Sequence, residues 1–228
     1  MKKINRPSDR TFKAVAIGVS AGGLYALPKV LGPLPDGFAA SVIVIQHMDP
    51  AGDHSFLIEY LASRIQLKIM EGVERIRLKP GHVYMAPANY HLYVEDDRTL
   101  GLSVDEKVNY SRPSIDVLFE SAADAFGNSL IGIVLTGASS DGALGLKRIK
   151  ENGGLVIVQY PETADTDIMP KFAIRTCPPD YILQLTEIPA LLNKLVTGSG
   201  DKNAVQPRNT GQKPLLKEKT EYSRTNRS

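Results

Sequence analysis

At 228 residues and 24.8 kDa the chain is long enough for one domain, or at most two small ones. Its 43% hydrophobic and 23% charged residues allow a sizeable core and exclude wholesale disorder. The net charge of +2 belongs to the tail: from Gly198 onward seven Lys/Arg face three Asp/Glu, leaving 20 basic and 22 acidic residues up to Thr197, a near-neutral body without a nucleic-acid footprint.

In chain order, residues 1–13 read as a loose lead-in. Ala14 to Val19 is a buried strand, followed by a helix through Leu24, Leu27, Val30 and Leu31. Ser41 to Gln46 is a second strand, after which Phe56, Leu57, Tyr60, Leu61 and Ile65 recur at helical spacing. A middle stretch reads as shorter, partly exposed strands at Val83 to Met85, His91 to Glu95 and Leu100 to Val104, with Asp96-Asp97-Arg98 as a hairpin turn. Ser114 to Phe126 is an amphipathic helix with Ser114 as its N-cap. Leu130 to Leu135 is a third buried strand, with a helix from Gly142 to Glu151 behind it. Leu155 to Val158 is a fourth strand, and Leu191, Leu192 and Leu195 lie on a last helix. The tail, 198–228, is polar and reads as disordered.

Continuous Val/Ile strands alternating with helices imply an α/β domain over 14–197: a doubly wound, mostly parallel sheet with helices on both faces and a small antiparallel excursion in the middle. The longest apolar runs are strand-length, too short for a membrane span. The N-terminus has no apolar stretch behind its positive charges, so no secretory signal is expected. The lone Cys177 forms no internal disulfide and sits beside Pro178-Pro179 without a base, so it reads as inert. A cytoplasmic protein is expected.

In sheets of this kind ligands bind beyond the carboxyl ends of the strands. The first strand runs into Gly18-Val19-Ser20-Ala21-Gly22-Gly23, the second ends in Gln46-His47-Met48-Asp49, and the third ends in Thr136-Gly137-Ala138-Ser139-Ser140-Asp141. A hydroxyl, an imidazole and a carboxylate thus fall on one sheet edge, the inventory of a nucleophile, a base and an orienting acid. Each has a plainer use. Ser20 could be a helix N-cap, His47 a hydrogen-bonded core histidine, and Asp141 the cap of the helix at Gly142. The glycine turn could instead cradle a dinucleotide. However, Ser20 replaces the glycine that admits the pyrophosphate, and Gln46-His47 stands where a ribose-binding acid is wanted. His47, Asp49, Asp53 and His54 have metal-ligand chemistry but match no metal spacing, so no metal is expected. His82 and His91 read as surface or structural.

Ile17-Gly18-Val19-Ser20-Ala21-Gly22-Gly23, Gln46-His47-Met48, Arg112-Pro113-Ser114-Ile115-Asp116-Val117-Leu118-Phe119, and Leu135-Thr136-Gly137 with Asp141-Gly142 resemble, in order, the catalytic domain of the CheB family of chemotaxis protein-glutamate methylesterases. Gly81 to Pro87 and Met169-Pro170 match as well, so the resemblance runs from about Ala14 to Leu195. It implies a serine hydrolase that removes methyl groups from glutamate γ-methyl esters on chemoreceptor cytoplasmic helices and deamidates glutamines there. Ser20, His47 and Asp141 would be its catalytic residues. Oxyanion donors would come from the amides of Ala21, Gly22 and Gly23, joined by Ala138, with no cofactor. The implied partner is a methylated receptor, with a methyltransferase or a separate receiver-domain protein as further partners. Nucleic acid and membrane insertion are not implied.

The sequence departs from the family at Ala21, where a threonine is usual, and at Ala138-Ser139, which replace Met-Gly. These changes reshape the wall near the oxyanion, and a receptor-docking module with weakened catalysis is the alternative they leave open. No phosphorylation-receiver domain precedes the first strand. A stand-alone esterase under other regulation, or a fragment, is therefore expected.

Overall fold

A computed structural model describes residues 11–48 and 54–197 of the chain. The tail 198–228, most of the lead-in, and Asp49 and Asp53 lie outside the described residues. The elements begin with β1 (Ala14–Val19), α1 (Gly23–Leu31), β2 (Ser41–Gln46), α2 (His54–Ala62), β3 (Lys68–Glu71), β4 (His82–Met85), β5 (His91–Val94) and β6 (Leu100–Ser103). They continue with α3 (Ile115–Phe126), β7 (Leu130–Val134), α4 (Ala143–Glu151), β8 (Leu155–Gln159), α5 (Ile168–Thr176), β9 (Tyr181–Leu183) and α6 (Ile188–Thr197). Seven strands form one sheet in the order β3-β4-β2-β1-β7-β8-β9, every pairing parallel, and β5 and β6 form a separate antiparallel hairpin.

Strand alternation divides the core in two. Val15, Ile17 and Val19 of β1 face the layer of α1, α2 and α6, whereas Ala14 and Ala16 face α3, α4, α5 and the β5–β6 hairpin. The residues on that second face of β1 are small for a reason that reaches the functional edge. A Cβ on Gly18, next in the same row, would stand 2.3 Å from Ile115 Cγ2. The row Ala14-Ala16-Gly18 therefore lets the first turn of α3 settle directly on the central strand. Phe12 is also fully buried, so core packing begins inside the segment read as lead-in.

The strand at Val83 to Met85 differs from its expected place. It is buried and pairs in parallel with β2 inside the main sheet, leaving β5 and β6 as the antiparallel pair of strands among the described residues. A four-residue run is too short for its periodicity to separate a sheet member from a hairpin arm. The hairpin turn at Asp96-Asp97-Arg98 is present, with the Arg98 amide donating to Glu95 O and the Thr99 amide to Asp97 Oδ1. Among the described residues no helix is long and apolar enough to cross a membrane.

Candidate active site

The central position of β1, between β2 and β7, is the switch point of the sheet, and it opens a crevice at the carboxyl edge. Backbone pairing carries one step past the named strands on each side. The His47 amide donates to Val19 O at 2.9 Å, and the Ser20 amide donates to Thr136 O at 3.0 Å. These bonds set Ser20 between the ends of β2 and β7. The cleft there has a volume of about 480 Å³ and is lined by Ser20, His47, Asn109 and Tyr110, with Ser111 and the loop Ala138-Ser139-Ser140.

Ser20 is not a helix cap. That position belongs to Gly22, in left-handed geometry at φ 85°, and no side chain caps α1. Gly142 holds the same place before α4 at φ 91°. Glycine adopts this conformation without the steric penalty that a Cβ incurs, so both turns tighten at the glycine itself. The Ser20 carbonyl is fixed by the Gly23 amide and by Gln46 Nε2, and the Ala21 carbonyl accepts from Thr136 Oγ1. The Gly23 amide is thereby spent inside the turn, which removes it from the expected oxyanion donors. Among the described residues the amides of Ala21, Gly22 and Ala138 donate to no group. Gln46, turned inward onto Ser20 O and His47 O, supplies no carboxylate for a ribose, which weakens the dinucleotide reading.

His47 Nε2 and Asp141 Oδ2 are 2.9 Å apart, with the Asp141 side chain fully buried and 13% of the His47 side chain exposed. Asp141 accepts much more. The Ile115 amide donates to Oδ2 at 2.6 Å, while Oδ1 receives the amides of Asp116 and Gly142 at 3.1 Å each, Ser114 Oγ at 2.8 Å and Asn109 Nδ2 at 3.0 Å. Burial pushes the Asp141 carboxyl up, yet the bonds from His47, Asn109 and the amides of Ile115 and Asp116 together hold it below its ordinary value. It is therefore an ionised, acceptor-only group. The proton on the shared bond resides on His47 Nε2, so in the neutral imidazole the lone pair is on Nδ1, the reverse of the arrangement in which Nδ1 faces the acid. No hydrogen bond joins Ser20 Oγ to His47 among the described residues. Such contacts commonly close only when substrate arrives.

The capping expectations resolve together. Ser114 does occupy the N-cap position of α3 in an extended conformation, but its hydroxyl donates to Asp141 and does not cap the helix. Asp141 instead takes the first amides of α3 as well as that of Gly142. One carboxylate thus sits at the N-termini of two helices, and both helix dipoles favour its charge. The packing of α3 onto Gly18 brings those amides within reach. His91 is buried beneath the same turn. It accepts the Ser114 amide on Nδ1, while Nε2 lies 3.0 Å from Glu106 O, so its role is structural.

Asn109, Ser114 and Asp116 were not visible as site residues in the sequence. Asp116 is buried, accepts the Gly145 amide at 2.7 Å and Asn109 Nδ2 at 2.8 Å, and has its carboxyl pushed up to about 6, by burial first and by the nearby Asp141 charge, against those two bonds. The folded protein thus holds the Asp116 proton more tightly than the unfolded chain does. Its contribution to stability is complete below the ordinary value of 3.8 and is lost as pH rises through about 6. Asp141 has the opposite sign, and its contribution is lost only as pH falls below the ordinary carboxylate range. Urea unfolding between pH 4 and 8 is expected to show an Asp116 step on the order of 2 kcal/mol, absent in Asp116→Asn.

Among the described residues no group of three or more His, Cys, Asp or Glu could hold a metal. Cys177 is buried, and its thiol is pushed up by that burial.

A family model described as CheB methylesterase matches residues 15–192. The chain belongs to the CheB methylesterase family. The catalytic domain of the Thermotoga maritima CheB methylesterase superposes with a TM-score of 0.77 at 35% identity, covering 82% of this chain and all of that domain. A Chromohalobacter salexigens relative named protein-glutamate methylesterase/protein-glutamine glutaminase is 37% identical over 191 residues, 82% of this chain and 53% of its own length. A Leptospira interrogans relative, given the same two activity names provisionally, is 45% identical over 197 residues, 86% of this chain and 99% of its own. The chain thus spans nearly all of one CheB relative and about half of the other.

Proposed function

We propose that the chain is a protein-glutamate methylesterase acting through Ser20, His47 and Asp141. The observation that carries this reading is the 2.9 Å bond between His47 Nε2 and a buried, ionised Asp141, in the same cleft as an uncapped serine. His47 Nδ1 removes the Ser20 proton as Oγ attacks the γ-carbonyl. The tetrahedral oxyanion is met by the unspent amides of Ala21, Gly22 and Ala138. Imidazolium, stabilised by Asp141, returns the proton to the departing methoxide, and methanol leaves a glutamyl ester on Ser20. Water, activated by the same imidazole, then releases the glutamate carboxylate and restores the serine. With a glutamine side chain the identical steps release ammonia, the glutaminase reaction.

No step needs a cofactor, since the charge that develops is placed against amides and one carboxylate. The substrate proposed is a methylated chemoreceptor helix, which puts the reaction in the cytoplasm and in sensory adaptation. Partners that write the methyl groups or carry a receiver domain follow from the same assignment. Methanol release from a methylated receptor cytoplasmic fragment, followed with and without the protein, tests the reading. Release at the uncatalysed rate would sink it.

A further inference from the structure

Asn109 belongs to a tight turn on the cleft wall. The amides of Val108 and Ser111 each donate to the other's carbonyl, and the two central residues, Asn109 and Tyr110, have φ of 50° and 62°. Two successive left-handed residues are the signature of a type I′ turn, where asparagine is favoured for its backbone alone. The side chain does more than that geometry asks. Its nitrogen is 2.8 Å from Asp116 Oδ2 and 3.0 Å from Asp141 Oδ1, so both amide hydrogens are spent on carboxylates. Rotating the amide would set its oxygen against two acidic oxygens, which fixes the orientation. Besides His47, the other donors to Asp141 come from α3, Ser114 and its own loop; Asn109 is the one that comes from the turn carrying Tyr110, which is 98% exposed at the cleft.

We propose that Asn109 is a positioning residue of the ester hydrolysis, holding the Asp141 carboxylate for His47 with a side-chain amide anchored on Asp116. This rests on the Ser20, His47 and Asp141 reading above. Asn109 spends one hydrogen on Oδ1, drawing charge from the carboxylate and keeping its other oxygen aimed at the imidazole. Without that bond Asp141 becomes the stronger base and holds the imidazolium proton more firmly, so a higher pH is needed to free Nδ1.

Asn109→Gly separates the two roles, because glycine keeps the left-handed turn and removes only the amide. The measurement is the rate at which a fluorophosphonate probe labels Ser20 between pH 5 and 9, in wild type and Asn109→Gly, with melting curves for both. The expected result is a plateau rate lower by roughly tenfold and an acid limb displaced to higher pH, at a nearly unchanged melting temperature. Wild-type protein that fails to label would overturn the Ser20 reading, and this proposal with it. Labelling of wild type with an identical rate and midpoint in Asn109→Gly would overturn the positioning role alone. A lower rate that follows a lower melting temperature, with the midpoint unmoved, would do the same, since it would assign Asn109 to the turn.

Discussion

Ser20→Ala is expected to reduce methyl-ester hydrolysis by roughly a millionfold, the loss seen when a triad serine is removed from other hydrolases. The value of this variant lies in what it leaves alone. Ser20 Oγ takes part in no hydrogen bond among the described residues, and the turn around it is held by the Ser20 carbonyl, Gly22 and Gly23. Removing the hydroxyl should therefore change stability by no more than about 0.5 kcal/mol. Substrate binding should also survive. The assay is methanol release with thermal melting in parallel, and a variant that stays folded and keeps even a hundredth of the wild-type kcat would exclude Ser20 as the nucleophile.

Asp141→Asn is expected to cost about 10⁴-fold in kcat with little change in KM. The cause is a proton in the wrong place. An asparagine amide facing His47 donates to Nε2, which must then give up its hydrogen, so Nδ1 becomes the protonated nitrogen and cannot accept the Ser20 proton. Unlike Ser20→Ala, this variant should also unfold more easily. Five donors besides His47 converge on the carboxylate, and an amide cannot accept them all. Steady-state kinetics and a urea titration on the same preparation separate the two losses. A variant with wild-type kcat would remove Asp141 from the mechanism.

The central strands were legible because burial on both faces leaves an unbroken signal: Ala14 to Val19, Ser41 to Ile45 and Leu130 to Val134 are nearly all apolar and rich in Val and Ile. The sheet's edges were not. β3 is Lys-Ile-Met-Glu, charged at both ends and only partly covered, and β9 is three residues long with Ile182 40% exposed, so neither carries a pattern to read. The third helix on the α3 side, α5, was missed as well, with Pro170 near its start and with Ile168 and Phe172 left exposed, so that its apolar residues mark no single buried face.

The site divides along a similar line. Ser20, His47 and Asp141 could be named from the rule that chemistry gathers beyond strand ends, because each follows a strong strand. Asn109, Ser114 and Asp116 reach the same place through a turn with two left-handed residues and through the close seat of α3 on Gly18, which are features of the backbone path. Asp116 offered the one available clue, a carboxylate at a position of the amphipathic α3 that its neighbours mark as buried. Its place on α3 carries no hint of the bond to Asn109.

The cleft wall holds four serines, Ser20, Ser111, Ser139 and Ser140, and only Ser20 is assigned as the nucleophile. Intact and peptide mass spectrometry of the protein after reaction with a fluorophosphonate tests that assignment most directly. A single adduct on Ser20, absent from the His47→Gln variant, is the result predicted. An adduct on Ser111, Ser139 or Ser140, or an unmodified protein under conditions that label other serine hydrolases, would contradict it.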